Sequence, residues 1–170
     1  MQLRDLFGDV PVSGEGVVPM ELQKLLREPL DVYADPARTE RLLLAARAQF
    51  PERLELAVAL YKMYAYSNRF EASRALIAEV LERSAAEAGF SADWRQLGPD
   101  SAAWHPARGA VRCYLYTLKA LGFVSLRQGE AEAAHAVLSH LRTLDPQDQV
   151  GGNVVYEMAV RLLDDEEDAA

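Results

Sequence analysis

The segment LKALGFVSLRQGEAEAAHAVLSHLRTLDPQD runs from Leu118 to Asp148 and sets its residues in a telling order. Leu118 and Leu121 precede a glycine at 122, and a second small residue follows at Ala134, then Leu138 and finally Pro146. That order describes two helices folded back on each other. A glycine removes the side chain where the helices cross, an alanine stands opposite it, and a proline stops the second helix. The same order returns earlier in the chain. Ala57-x-x-Leu60-Tyr61-x-x-Tyr64 is followed by Phe70, Ser73 and Ile77, and a step of 34 residues back from Ser73 reaches Thr39, then Leu43, Ala46 and Pro51. Repeated helix pairs bury their open faces on one another, so this feature constrains the fold before composition is consulted. Leu60 and Leu121 lie 61 residues apart, one period plus 27, so a segment has been inserted between them.

These spacings resemble the tetratricopeptide repeat, in which two antiparallel helices occupy about 34 residues. The resemblance covers Pro19 to Leu163. Leu118 stands where Trp is usual, Ser125 where Tyr is usual and Leu138 where Phe is usual, while Tyr64 supplies an expected aromatic. Ser73 replaces the small alanine of the second unit and Tyr61 its glycine. The resemblance implies an all-α fold: tetratricopeptide-like antiparallel helix pairs forming a short right-handed solenoid, with a concave groove lined by the first helix of each pair. Carried onto this chain, the groove-facing candidates for binding a partner are Lys62 and Tyr66 in one unit and Tyr116, Lys119, Phe123 and Arg127 in another. Chaperone-binding members grip a terminal carboxylate with a Lys/Asn clamp. Lys119 matches one clamp lysine, but Phe123 stands at the asparagine position and Val58 and Ala59 also depart, which argues against a carboxylate clamp.

Helical periodicity supports the same elements without the repeat. Leu56, Leu60, Met63 and Tyr64 fall on one apolar stripe, as do Phe70, Ile77, Val80 and Leu81. Asp35 before Pro36 is a natural N-cap with proline at the first helical position, and Asn68 and Gly129 stand where a turn needs a left-handed backbone. After Pro146, Val150, Val154, Val155, Met158 and Leu162 share one side of a C-terminal helix, which is expected to cap the open end of the last pair.

Three segments stand outside the repeats. Residues 1–18 are an N-terminal arm and linker, in which Leu3, Leu6 and Phe7 form one apolar turn before a Pro/Gly-rich stretch; the arm docks either on the solenoid or on a partner. The helical domain, 19–163, carries an insertion at about 84–109, expected to be an ordered loop with a helical turn. Both tryptophans, Trp94 and Trp104, lie in it. Because interface energy concentrates in such side chains, they join the candidate partner contacts, against the alternative that they pin the loop to the domain. Residues 164–170, DDEEDAA, are expected to be an acidic disordered tail, the alternative being a lure for a basic partner.

Composition narrows the function. A net charge of -8 opposes a phosphate backbone, so nucleic acid is not an expected partner. No apolar run is long enough to span a bilayer and the first residues lack a signal core, so a cytoplasmic protein away from membranes is expected. Cys113 is the only cysteine, which fits a reducing compartment. The sequence has no phosphate-binding glycine loop, nucleophile elbow or HExxH, and no catalytic residue is assigned. His135 and His140 are five apart, about 140° around a helix, a poor metal pair. No metal site and no cofactor are expected; the alternative is a metal or cofactor carrier using His105, Cys113 and a histidine of the last repeat.

A second, narrower likeness runs through RDLFGDVP, LYKMYAYSNRF, ARGAVRCYLYTLKALGF and LDPQDQVG. These stretches resemble small tetratricopeptide proteins encoded with the nitrogen-fixation machinery of bacteria, of the type called nitrogenase-associated factor T. The likeness implies a non-catalytic accessory factor that binds the molybdenum-iron protein of nitrogenase during assembly, maturation or repair. A generic tetratricopeptide adaptor or chaperone for another client is the competing expectation.

Overall fold

The computed structural model describes residues 1–8 and 18–170, and among them every regular element is helical. Asp9 to Val17, most of the expected linker, lie outside the described residues. In chain order the α-helices are α1 (Met20–Arg27), α2 (Pro36–Gln49), α3 (Leu54–Tyr66), α4 (Phe70–Ala88), α5 (Gly109–Arg127), α6 (Ala131–Leu144) and α7 (Gly152–Ala169). Short 3-10 turns occupy Leu3–Phe7 and Trp94–Gln96. The chain divides into two compact units, Met1–Leu76 and Ile77–Ala170.

In the first unit the N-terminal arm is part of the core. Leu3, Leu6 and Phe7 are buried together with Leu22, Leu25 and Leu43 of α1 and α2 and with Leu56, Leu60 and Met63 of α3. Burying a side chain of this size contributes about 1.5–3 kcal/mol, which offsets much of the entropy lost in ordering a five-residue turn. Backbone bonds fix its register: Leu3 N donates to Leu30 O at 3.0 Å and Val32 N to Met1 O at 2.9 Å. Of the two expected destinations for the arm, the structure selects its own chain. At α2, Asp35 caps the helix as its sequence position suggests, its carboxylate accepting from Arg38 N at 3.0 Å with Pro36 at the first turn. Helix α3 is apolar nearly all round and correspondingly buried from Leu56 to Ala65. Ser73, standing where the repeat prefers alanine, donates its hydroxyl to Tyr61 O at 2.9 Å, so its extra oxygen is satisfied in the buried contact.

In the second unit α5 and α6 form a close antiparallel pair. A Cβ added to Gly122 would stand 2.5 Å from Leu138 Cγ, nearer than any packed carbon tolerates. The glycine thus makes room for Leu138, while Ala134, the small residue expected opposite it, is fully buried one turn away. Helix α7 packs along α6 but turns a different side to it than its sequence stripe suggests. Val150 is buried, yet Val154, Met158 and Leu162 are exposed and Val155 is half-buried. Gly152 and Ala159 face inward instead; a Cβ on Gly152 would fall 2.7 Å from Leu141 Cδ2. Small residues allow the closer approach, and the helix rotates its large ones outward. Where a disordered tail is expected, α7 continues through Asp164–Asp168 to Ala169, with all of these residues exposed.

Local geometry repeats at the spacing found in the sequence. The α3–α4 turn has Asn68 at φ 60° and Arg69 N donating to Tyr64 O at 2.8 Å; the α5–α6 turn has Gly129 at φ 78° and Glu130 N donating to Ser125 O at 2.9 Å. Each pair of equivalents lies 61 residues apart, the interval between Leu60 and Leu121. The ends of α2 and α6 match as well: Phe50 and Asp145 adopt φ/ψ of −126°/64° and −125°/66°, each just before a proline. Helix α4 runs four residues past Ser84 to Ala88, so the inserted segment begins as added helix and leaves it at Gly89, φ 83°.

Candidate protein-binding surface

The connection from 89 to 108 is long for a compact domain, and such a segment needs its own means of order. Apolar packing supplies part. The Phe90 ring lies 5.2 Å from that of Trp104 and meets Tyr114 edge-on at 4.9 Å. Trp104 is 5% exposed and donates Nε1–H to Gly98 O at 2.9 Å. Tyr114 donates its hydroxyl to Ala92 O at 2.7 Å, and burial holds its phenol well above the usual range.

Polar contacts supply the rest, centred on Gln149 in the α6–α7 turn. Its Nε2 donates to Trp104 O at 2.8 Å and to Asp145 Oδ1 at 2.9 Å, while its Oε1 accepts from Ala107 N at 2.8 Å. The buried Asp145 carboxylate also accepts from Gln149 N and Val150 N, both at 3.1 Å. An aspartate closing a helix end and binding backbone N–H groups just ahead is a recognisable turn device. Nothing in the spacing of LDPQDQVG points to Gln149 as the tie to a loop more than 40 residues away.

The two tryptophans divide. Trp104 is buried and packs within the connection, the arrangement the pinning alternative describes. Trp94 is half-buried on the outside, its ring 5.3 Å from that of His140 and 4.3 Å from the Arg95 guanidinium. His140 Nε2 lies 2.7 Å from Leu97 O, the geometry of an N–H donor, which holds the imidazole beneath the tryptophan. Asp93 anchors the same turn, and the Arg95 backbone N–H, more than the Arg95 side chain, keeps its carboxyl below the ordinary range.

The groove candidates also sort by burial. Tyr116 is buried on α5, and Lys119 is half-buried there with its ammonium 4.3 Å from the Tyr116 ring. Lys119 Nζ donates to Val150 O at 2.6 Å, tying α5 to the start of α7; this engages the one lysine that matched a carboxylate clamp. Phe123 is half-buried with the Arg127 guanidinium 5.9 Å from its ring, and Arg127 is exposed. In the first unit Lys62 is buried at 6% exposure, whereas Tyr66 is exposed. Lys62, Trp104 and Tyr116 are thus buried, whereas Tyr66 and Arg127 are exposed. Local spacing shows which residues share a helix face, and burial depends on what packs there.

No convergent metal chemistry emerges among the described residues, where no three His, Cys, Asp or Glu side chains come together. His105 is exposed and Cys113 is buried within α5. His135 stacks 5.3 Å from Tyr156, which the Arg142 guanidinium covers from 4.4 Å. Among the described residues no helix is long and apolar enough to cross a membrane.

Over 128 residues the chain is 31% identical to an uncharacterized 19.8 kDa protein in the nifW 5' region of Azotobacter chroococcum mcd 1, the match covering 74% of this chain and 71% of that one. The chain belongs to the family of that protein. No protein-family model and no solved structure matches it.

Proposed function

We propose that the chain is a non-catalytic, tetratricopeptide-like accessory factor that binds the molybdenum-iron protein of nitrogenase during its assembly, maturation or repair. The observation that carries the nitrogen-fixation part is the relative in the nifW 5' region, nif denoting nitrogen fixation. The repeat part draws support from the turns that recur at 61 residues and from the Gly122–Leu138 crossing. The factor acts by differential affinity. It binds an incomplete or locally opened client more tightly than the finished one and so raises the population of the state on which other components act. Of the expected contacts in the second unit, Trp94, Phe123 and Arg127 are accessible, and Trp94 is the side chain best suited to anchor an interface.

Affinity isolation from nitrogen-fixing cells, with the bait carrying a cleavable tag, tests the reading. Molybdenum-iron protein subunits are expected as the main recovered client, with substoichiometric metal on the untagged bait. A different client would remove nitrogenase from the proposal, and stoichiometric bound metal would favour a carrier.

A further inference from the structure

The outer side of α7 is an apolar stripe that nothing in the second unit covers. Val154, Met158 and Leu162 follow at one-turn intervals and are 60%, 48% and 42% exposed, while Gly152 and Ala159 take the inward side. Isolated exposed apolar residues are ordinary, but three in register along a helix form a continuous apolar ridge. Electrostatics then states what can cover it. From Gly152 onward the chain carries Glu157, Asp164, Asp165, Glu166, Glu167 and Asp168 against Arg161 as the only base. At 100° per residue Asp165 continues the line of the stripe, with Glu157, Asp164 and Asp168 along one flank and Arg161 between the two.

The same charges oppose the helix that bears them. Carboxylates at a helix C-terminus face the negative end of the macrodipole, and Asp164 and Asp168 repel each other across one turn. Arg161, three and four residues before Asp164 and Asp165, is the one base within reach of them, and none follows it to meet Glu166, Glu167 and Asp168. A cationic partner would relieve both while its apolar residues cover the ridge. A second copy brings the same carboxylates to the contact and is disfavoured by like-charge repulsion.

The geometry points to α7 as the docking site for a basic amphipathic helix of the client, with apolar residues at three-and-four spacing and Lys or Arg on the flank that meets Asp164, Asp165 and Asp168. This deepens the protein-binding reading and rests on it for the client, but the ridge can be tested without one. The probe is an 18-residue peptide, the length of α7, of leucine at three-and-four spacing with lysine elsewhere, beside a control in which glutamate replaces lysine. Binding to the full chain is followed by fluorescence anisotropy and helix content by circular dichroism. The lysine peptide is expected to bind, to weaken at least tenfold in Met158→Ser/Leu162→Ser, and to keep its affinity in Leu44→Ser, a change at an exposed leucine of α2. Helix content should rise on mixing. Equal binding by both peptides, or equal binding to both variants, overturns the proposal. A wild-type dimer dissolved by the double change also overturns it, in favour of self-association. If the double variant recovers the client from cells as well as wild type does, the ridge fails while the accessory role stands; if wild type recovers no client yet binds the peptide as expected, the role fails and the ridge stands.

Discussion

The α5–α6 pair and the connection from 89 to 108 are neighbouring parts of one compact unit held by different means. The helix pair is held by complementary size, a leucine filling the space that a glycine vacates. The connection adds direction to its aromatic packing, Gln149 satisfying one carbonyl and one N–H of its irregular backbone. Size complementarity follows from residue types at fixed spacing. Directional ties depend on where a distant backbone comes to rest.

The largest way to break the contrast is Leu138→Ala. The side chain is fully buried, and its loss should cost about 2–5 kcal/mol in chemical denaturation. Gly122→Leu attacks the same contact from the other side and should cost about 1–3 kcal/mol by overpacking. If the crossing is a matter of size alone, the two sites are coupled: Gly122→Ala should destabilise less in the Leu138→Ala background than in wild type, and additive effects would contradict the contact.

Gln149→Leu should show the other mechanism. It preserves the approximate volume but leaves Trp104 O, Ala107 N and one side of Asp145 without this partner, at a cost of about 1–3 kcal/mol. Hydrogen exchange should quicken in 89–108 while the α5–α6 pair keeps its protection. Equal loosening of both regions would show that the connection has no separate means of order.

Those two mechanisms explain what was legible beforehand. The all-helical class, the Asp35–Pro36 start, the turns at Asn68 and Gly129 and the role of Gly122 all rest on local chemistry, and the structure has them where the spacing put them. The inward side of α7 was misplaced because Gly152 and Ala159 let the helix approach α6 closely, a preference for small residues that a hydrophobic stripe conceals. Helix and loop position alone does not tell which of Lys62, Trp104 and Tyr116 is buried, because that depends on neighbours distant in the sequence. Gln149 and Asp145 carried no motif that ties them to the connection.

A smaller effect contrasts the polar pair of the first unit. Glu40 accepts from Arg69 at 2.8 Å and from Tyr64 OH at 2.7 Å, and these bonds, Arg69 first, hold its carboxyl below the ordinary value of 4.5. A depressed folded-state value means that this stabilisation is present above about pH 4.5 and is lost as pH falls through the folded value. Tyr64 has the opposite sign: burial first, then Glu40, pushes it from 10 up to about 12, so its contribution is present below pH 10 and is lost as pH rises through about 12. Glu40→Gln should flatten the acid limb of the stability profile and lower the phenolate titration of Tyr64. An unchanged phenolate titration would contradict the pairing.

The proposed function makes this helical protein one that holds another, with Trp94 as an anchor dispensable to its own fold. Isothermal calorimetry of the untagged protein against purified molybdenum-iron protein of nitrogenase measures that directly. The account predicts a saturable complex whose affinity falls by about 2 kcal/mol, roughly thirtyfold, in Trp94→Ala while the thermal melt is kept. No complex with any assembly state of the molybdenum-iron protein, cofactor-free or complete, would contradict it.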